Sequence, residues 1–249
     1  MDYMKRKFKI TVACLCAGGL ITAVVVFTKL RCSVSEHYQK KFVVDAGFLC
    51  QTHNVVNAID NYAQAIQILH ANGIDEDWLQ NKTSDIRDVP LSRSDFDKIV
   101  NLLIAGAKSQ ELGISKPGSY DVSVYLQDYG EIEFLNFVLL PKIISQTTRA
   151  DLNQKEDSDR AILIGKANIA VGLQFSAYDD VVLDVIGLLY KRHGLNILEE
   201  YAEVSGDKNI QDSIDAILSE VEKECKRVKK TIKKQTGRGR LSKFLSDLG

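Results

Sequence analysis

DRAILIGKANIAVGLQFSAYDDVVLDVIGLL, residues 159–189, decides the fold class of this chain. Ile162, Leu163, Ala167, Ala170, Val171 and Phe175 recur at helical spacing over 159–175, and Ser176-Ala177 then makes a tight break. A second helix begins near Asp179 with Val181, Val182, Val185, Leu188 and Leu189; Gly194 is its expected interruption before a continuation to about Val204. Two helices joined by so short a turn must fold back on each other as an αα-hairpin. Ser205-Gly206-Asp207 closes the unit.

Working outward, 53–71 carries Val55, Ile59, Tyr62, Ile66 and Leu69 at 4-3-4-3 spacing, one apolar stripe of a helix. Asn72-Gly73 supplies the left-handed residue that ends it. The acidic stretch 75–93, with Trp78 and Pro90, reads as a loop or short helical turn, and Trp78 as a lid over the core edge. Ser94 with Asp97 is the expected start of a helix through about Glu111, bearing Phe96, Ile99, Val100, Leu103, Ile104 and Ala107. Tyr120, Val122, Val124 and Leu126 alternate after Pro117-Gly118, but a lone strand has no partner, so 115–128 reads as extended loop. Residues 130–149 return to helical composition, with Pro141 expected to kink or divide them.

The last helix, from about Asn209 to Lys234, has a stripe of Ile210, Ile214, Ile217, Val221, Cys225, Val228 and Ile232. Such a stripe serves a core-docked helix, a coiled-coil seam, or both. With three prolines and sixteen glycines in 249 residues, the whole reads as all-α. The expected organisation is an N-terminal transmembrane segment (1–34), a helical-hairpin body (35–205) and a basic amphipathic C-terminal helix and tail (206–249).

The transmembrane expectation rests on ITVACLCAGGLITAVVVFT, residues 10–28, nineteen positions without a charge. That length matches the hydrocarbon core of a bilayer. Ile10, Leu20, Val25 and Phe27 are its representative anchor residues. It is longer than a signal-peptide core and ends in Val24-Val25-Val26-Phe27-Thr28-Lys29 without a small-x-small cleavage site, so an uncleaved anchor is expected and a cleaved signal is the alternative. Lys5, Arg6, Lys7 and Lys9 precede the run, against Lys29 and Arg31 after it. The bias keeps the N-terminus in the cytoplasm and exports the body; Lys40 and Lys41 leave the reverse topology open.

The formal charge of −1 hides an asymmetry. Residues 42–225 hold fifteen basic and thirty acidic side chains, a net of −15, between two basic ends. From Lys226 to Lys243 there are nine Lys/Arg and no acid: Lys226, Arg227, Lys229, Lys230, Lys233, Lys234, Arg238 and Arg240 are the candidate contacts to an anionic partner. Interleaved with Ile232, Leu241 and Phe244, they suit an anionic lipid surface or envelope polymer. Nucleic acid fits only a cytoplasmic body and is not expected. As plain structure, the same cations complement the negative pole of the helix dipole.

Cys14 and Cys16 sit in the apolar run; Cys32, Cys50 and Cys225 have no metal-ligand spacing, and export would allow one disulfide, Cys32 with Cys50 being nearest in sequence. His37, His53, His70 and His193 are isolated and read as surface residues. Gly165-Lys166 lacks the upstream glycine of a phosphate loop, and no dinucleotide fingerprint or serine elbow occurs. Asp179, Asp180 and Asp184 form the one carboxylate cluster. It suggests, as an alternative, a metal-dependent helical transferase or hydrolase; as plain structure, Asp179 and Asp180 complement a helix N-terminus. No catalytic, metal or cofactor-binding residue is otherwise assigned, and no cofactor is expected.

The segment Ala58-Ile-Asp-Asn-Tyr62-Ala-Gln-Ala65 resembles the second helix of a tetratricopeptide-type repeat, with small, aromatic and small residues at 4-then-3 spacing. The hairpin at 159–193, with Tyr178 before its second helix, is similar in outline. The resemblance implies hairpin packing and a role in holding partners. The expected function is that of a single-pass, membrane-anchored interaction or scaffold module of the cell envelope, with a protein partner or self-association. A structural, homo-oligomeric coiled coil through the C-terminal stripe is a further alternative.

Overall fold

The computed structural model describes residues 58–75, 78, 89–109, 112, 134–154, 158–178 and 181–235. They form six helices: α1 (Ala58–Ala71), α2 (Arg93–Ala107), α3 (Phe134–Asn153), α4 (Ser158–Phe175), α5 (Val181–Ser205) and α6 (Lys208–Gln235). No strand occurs among the described residues, and the class is all-α. The alternating stretch 115–128 lies outside them, as does the apolar run 10–28.

Local sequence explains most of the helix ends. Gly73 adopts φ 71° after α1; its N–H donates to the His70 carbonyl (2.9 Å) and the Ile74 N–H to the Leu69 carbonyl (3.0 Å). Ile74 is buried beside Leu69, completing a left-handed helix stop with its apolar contact. At the other end, the Ile59 N–H donates to the Leu112 carbonyl (3.0 Å), so the segment after α2 supplies an acceptor to the first turn of α1.

α2 begins two residues earlier than its sequence signal suggested. The Asp95 N–H donates to Ser92 Oγ (3.1 Å), and that hydroxyl donates to Asp95 Oδ2 (2.9 Å), a reciprocal cap. The expected partner, Asp97, is instead held by Arg160 at the start of α4 (2.6 Å). α3 runs on through Pro141 rather than dividing there, and α5 runs unbroken through Gly194.

The α4/α5 hairpin is the centre of the body, and glycines bring its two backbones together. A Cβ added at Gly172 would lie 2.6 Å from the Gly187 carbonyl oxygen, and one added at Gly187 would lie 2.7 Å from that of Gly172. One turn pair away, a Cβ at Gly194 would lie 2.6 Å from the Gly165 carbonyl oxygen. Glycines seven residues apart on each antiparallel helix therefore face each other twice. No residue with a side chain fits there without a backbone shift.

Around this hairpin α2 and α3 pack on α4, α3 and α6 on α5, and α1 on α2. Phe175, at the end of α4, is the aromatic hub. It stacks with Tyr62 of α1 (ring centroids 6.1 Å apart) and Tyr190 of α5 (5.7 Å), and meets Phe137 of α3 edge-on (5.8 Å). A polar chain runs beside it: the buried Tyr62 hydroxyl donates to Gln174 Oε1 (2.6 Å), and Gln174 Nε2 donates to the carbonyls of Gly106 (3.0 Å) and Ser109 (2.6 Å). A side chain at Gly106 would run into the Tyr62 ring. Burial, then the neighbouring Tyr190, raises the Tyr62 pKa, so its hydroxyl stays a neutral donor.

On the other flank, Arg149 of α3 donates from Nε (3.1 Å) and from its terminal nitrogen (2.8 Å) to Glu200 Oε2 of α5. Lys142, seven residues before Arg149, acts electrostatically on His193, seven residues before Glu200. The equal spacing sets α3 and α5 side by side in the same direction.

Gly172→Ala tests the close approach. An exposed helical glycine replaced by alanine would gain about 1 kcal/mol. Here the added methyl overpacks against backbone, so a net loss of about 2 kcal/mol is expected in chemical denaturation. A gain in stability would contradict the glycine contact.

Candidate functional site

The exposed cationic end of α6 is the most distinctive charged surface among the described residues. Its position begins with a two-residue connection. Gly206 takes φ 71° and donates its N–H to the Ala202 carbonyl (2.8 Å), closing α5. Asp207 Oδ1 accepts from the N–H groups of Asn209 (3.0 Å) and Ile210 (3.3 Å), capping α6. So short a link turns α6 back along α5.

Burial picks out one face of α6. Ile214, Ile217, Val221, Cys225 and Val228 are buried, with Ile210 and Leu218 half-buried beside them. From Ile210 to Val228 the sequence stripe is thus occupied by a docking contact with α5. Cys225 is a free thiol within that face; burial, chiefly, raises its pKa, which keeps it protonated and unreactive. Cys32 and Cys50 lie outside the described residues.

A charged pair crosses this interface. Lys191 of α5 is 2% exposed, and its Nζ donates to Glu224 Oε2 of α6 (2.9 Å). Its stem lies against Gly172: a Cβ there would sit 2.6 Å from Lys191 Cγ. The glycine contact that closes the hairpin thus also makes room for the lysine stem.

Past Glu224 the helix changes sign. Lys226, Arg227 and Lys230 are exposed, and Lys229 is half-buried. Lys233 and Lys234 lie on the last turn of α6, their side chains outside the described residues, as are Arg238 and Arg240. Asp212, Asp215, Glu220, Glu222 and Glu224 lie along the middle of α6, its first turn carries no acidic side chain, and its basic end accords with the helix dipole.

The other sequence-derived candidates fall elsewhere. The anchor residues Ile10, Leu20, Val25 and Phe27 lie outside the described residues, among which no helix is long and apolar enough to cross a membrane. Of the carboxylate cluster, Asp184 is half-buried in the first turn of α5, while Asp179 and Asp180 are outside the description. No group of three His, Cys, Asp or Glu side chains capable of holding a metal occurs among the described residues. Trp78 is half-buried against the core. No family model, curated relative or solved structure matches this chain.

The histidines divide. His37 and His53 lie outside the described residues. His70 is exposed, its Nε2 paired with Asn136 Oδ1 (2.9 Å). His193, expected at the surface, is half-buried between α3 and α5. Burial first, then Lys142, Arg192 and Arg149, lowers its pKa to about 4. A residue in position to be solvated by sequence pattern alone is thus held neutral, by its burial first and then by three cations from two helices. Glu199, one turn and a half further along α5, is shifted the opposite way, chiefly by burial.

The pH dependence follows from the sign. With the unfolded histidine near 6.5 and the folded one at about 4, the unfolded chain takes up the proton first as pH falls. The contribution of His193 to stability is complete above pH 6.5 and declines toward pH 4, by up to about 1.4 kcal/mol per pH unit. In denaturation at pH 6.5 and 5, the wild type should lose about 2 kcal/mol more than His193→Gln. Parallel pH profiles for the two proteins would exclude this account.

Proposed function

We propose that this chain is a membrane-tethered, non-enzymatic interaction module of the cell envelope. The apolar run at 10–28 anchors it, the helical body projects beyond the membrane, and the basic end of α6 makes a second contact. The observation that carries the reading is the polarity of α6: its apolar stripe is docked on the body while Lys226, Arg227 and Lys230 face solvent. A helix fixed in that way presents a row of cations without needing a coiled-coil partner to cover its apolar face. The protein partner would meet the acidic body, whose net charge over 42–225 is −15. Charge of one sign over such a surface steers association with an oppositely charged partner.

Topology is the decisive measurement. With a C-terminal tag, protease added to intact cells should remove the tag, and crosslinking of the full chain should trap a discrete partner. A tag protected until the cells are lysed would reverse the topology, and a chain that crosslinks to nothing would argue against an interaction module.

A further inference from the structure

We infer that α6 is a releasable amphipathic helix that exchanges between its dock on α5 and an anionic bilayer surface, with the Lys191–Glu224 pair as the latch. The inference rests on the membrane-tethered reading above.

Three observations carry it. First, the residues that hold α6 to the body are those a bilayer would accept. Ile214, Ile217, Val221, Cys225 and Val228 form one apolar face, and Lys226, Arg227, Lys229 and Lys230 follow with no acid from 226 to 235. Such a helix lies in the headgroup plane with its apolar face down and its cations on anionic lipids. Each cation near such a surface adds about fivefold in affinity. The acidic body and the acids of α6 itself, Asp212, Asp215, Glu220, Glu222 and Glu224, are repelled by that surface, so the basic end beyond Glu224 is the part the surface selects.

Second, the dock is weakened by a buried charge. Lys191 is 2% exposed and paired across the interface with Glu224 at 2.9 Å. A buried ion pair holds two surfaces less tightly than an apolar pair of the same volume. When α6 leaves, the buried Lys191 ammonium regains water, which removes part of the cost of opening.

Third, the hinge keeps both helix ends intact. Gly206 closes α5 through its bond to Ala202, and Asp207 caps α6 through Asn209 and Ile210. All of these bonds are local to the connection. α6 can swing about Ser205-Gly206-Asp207 without losing its cap.

The experiment uses the full chain with Trp78, its one tryptophan, changed to phenylalanine and Leu218→Trp placed beside the stripe. It is reconstituted into vesicles with brominated acyl chains, made of phosphatidylcholine alone or mixed with phosphatidylglycerol. Quenching of the new tryptophan in mixed vesicles but not in neutral ones is expected. K226Q/R227Q/K230Q should lower the ratio of bilayer-bound to docked α6 in mixed vesicles by on the order of a hundredfold. K191M/E224L should tighten the dock and cut the quenched fraction several-fold, while Glu224→Ala, which strands Lys191, should increase it. Far-UV circular dichroism checks each variant, and the K191M/E224L result decides if Glu224→Ala does not fold.

Equal quenching in both vesicle types, or none in either, overturns the inference, as does a K191M/E224L variant quenched like the wild type. Absence of quenching together with retention on a soluble anionic polymer overturns it in favour of a polymer contact. Flotation with neutral vesicles reports the anchor separately. A chain that fails to float refutes the tethered reading, and α6 is then judged by adding the mixed vesicles to the free chain.

Discussion

The rest of the body depends on backbone-to-backbone contact between α4 and α5. Gly165 and Gly172 on one helix meet Gly194 and Gly187 on the other, so close that a Cβ at Gly172, Gly187 or Gly194 would strike the facing carbonyl oxygen and one at Gly165 would strike the Leu198 side chain. Because both pairs are seven residues apart, two antiparallel helices can bring them together only in one register. That register fixes everything attached to the hairpin: it places Phe175 against Tyr190, and Lys191 over Gly172. Close contact of this kind works through dense packing rather than through large side chains, so it tolerates little change in volume.

Two polar arrangements then select how the outer helices sit. The Tyr62–Gln174 bond and the two bonds from Gln174 to the carbonyls of Gly106 and Ser109 join α1, the end of α2 and α4. Inside a protein each such group must find its partner, so any other packing of α1 would leave buried polar atoms unpaired. The Lys191–Glu224 pair performs the same selection for α6, with a different consequence. A buried charge pair specifies position more than it stabilises, and the helix it positions is also the most charged one. Specificity and reversibility therefore come from the same two side chains.

How much was legible from sequence varies with how local the cause is. The hairpin over 159–189, the stop at Gly73 and the span of α6 follow from apolar spacing and turn chemistry, and they match the structure closely. The start of α2 differs because Ser92 with Asp95 and Ser94 with Asp97 carry the same local signal, and the pairing of Asp97 with Arg93 and Arg160 separates them. Gly194 looked like a break for the same reason: a glycine in a helix signals weakness until its facing glycine is known. Of the candidate site, the basic run and the apolar stripe were visible, while Lys191 was one lysine among many, and neither His193 nor Gln174 had any distinguishing pattern.

What the sequence determined by itself was the all-α class, the order of the described helices and the division of α6 into an apolar face and a cationic end. These are consequences of periodicity and charge along a single segment, which every residue carries with it whatever its surroundings. The tertiary structure alone decided that four glycines form a contact, that one lysine is buried against one glutamate, and that one histidine is kept neutral. Each of these depends on residues far apart in the chain meeting out of water, where volume and unpaired charge become costly, and no local pattern records which residues will meet.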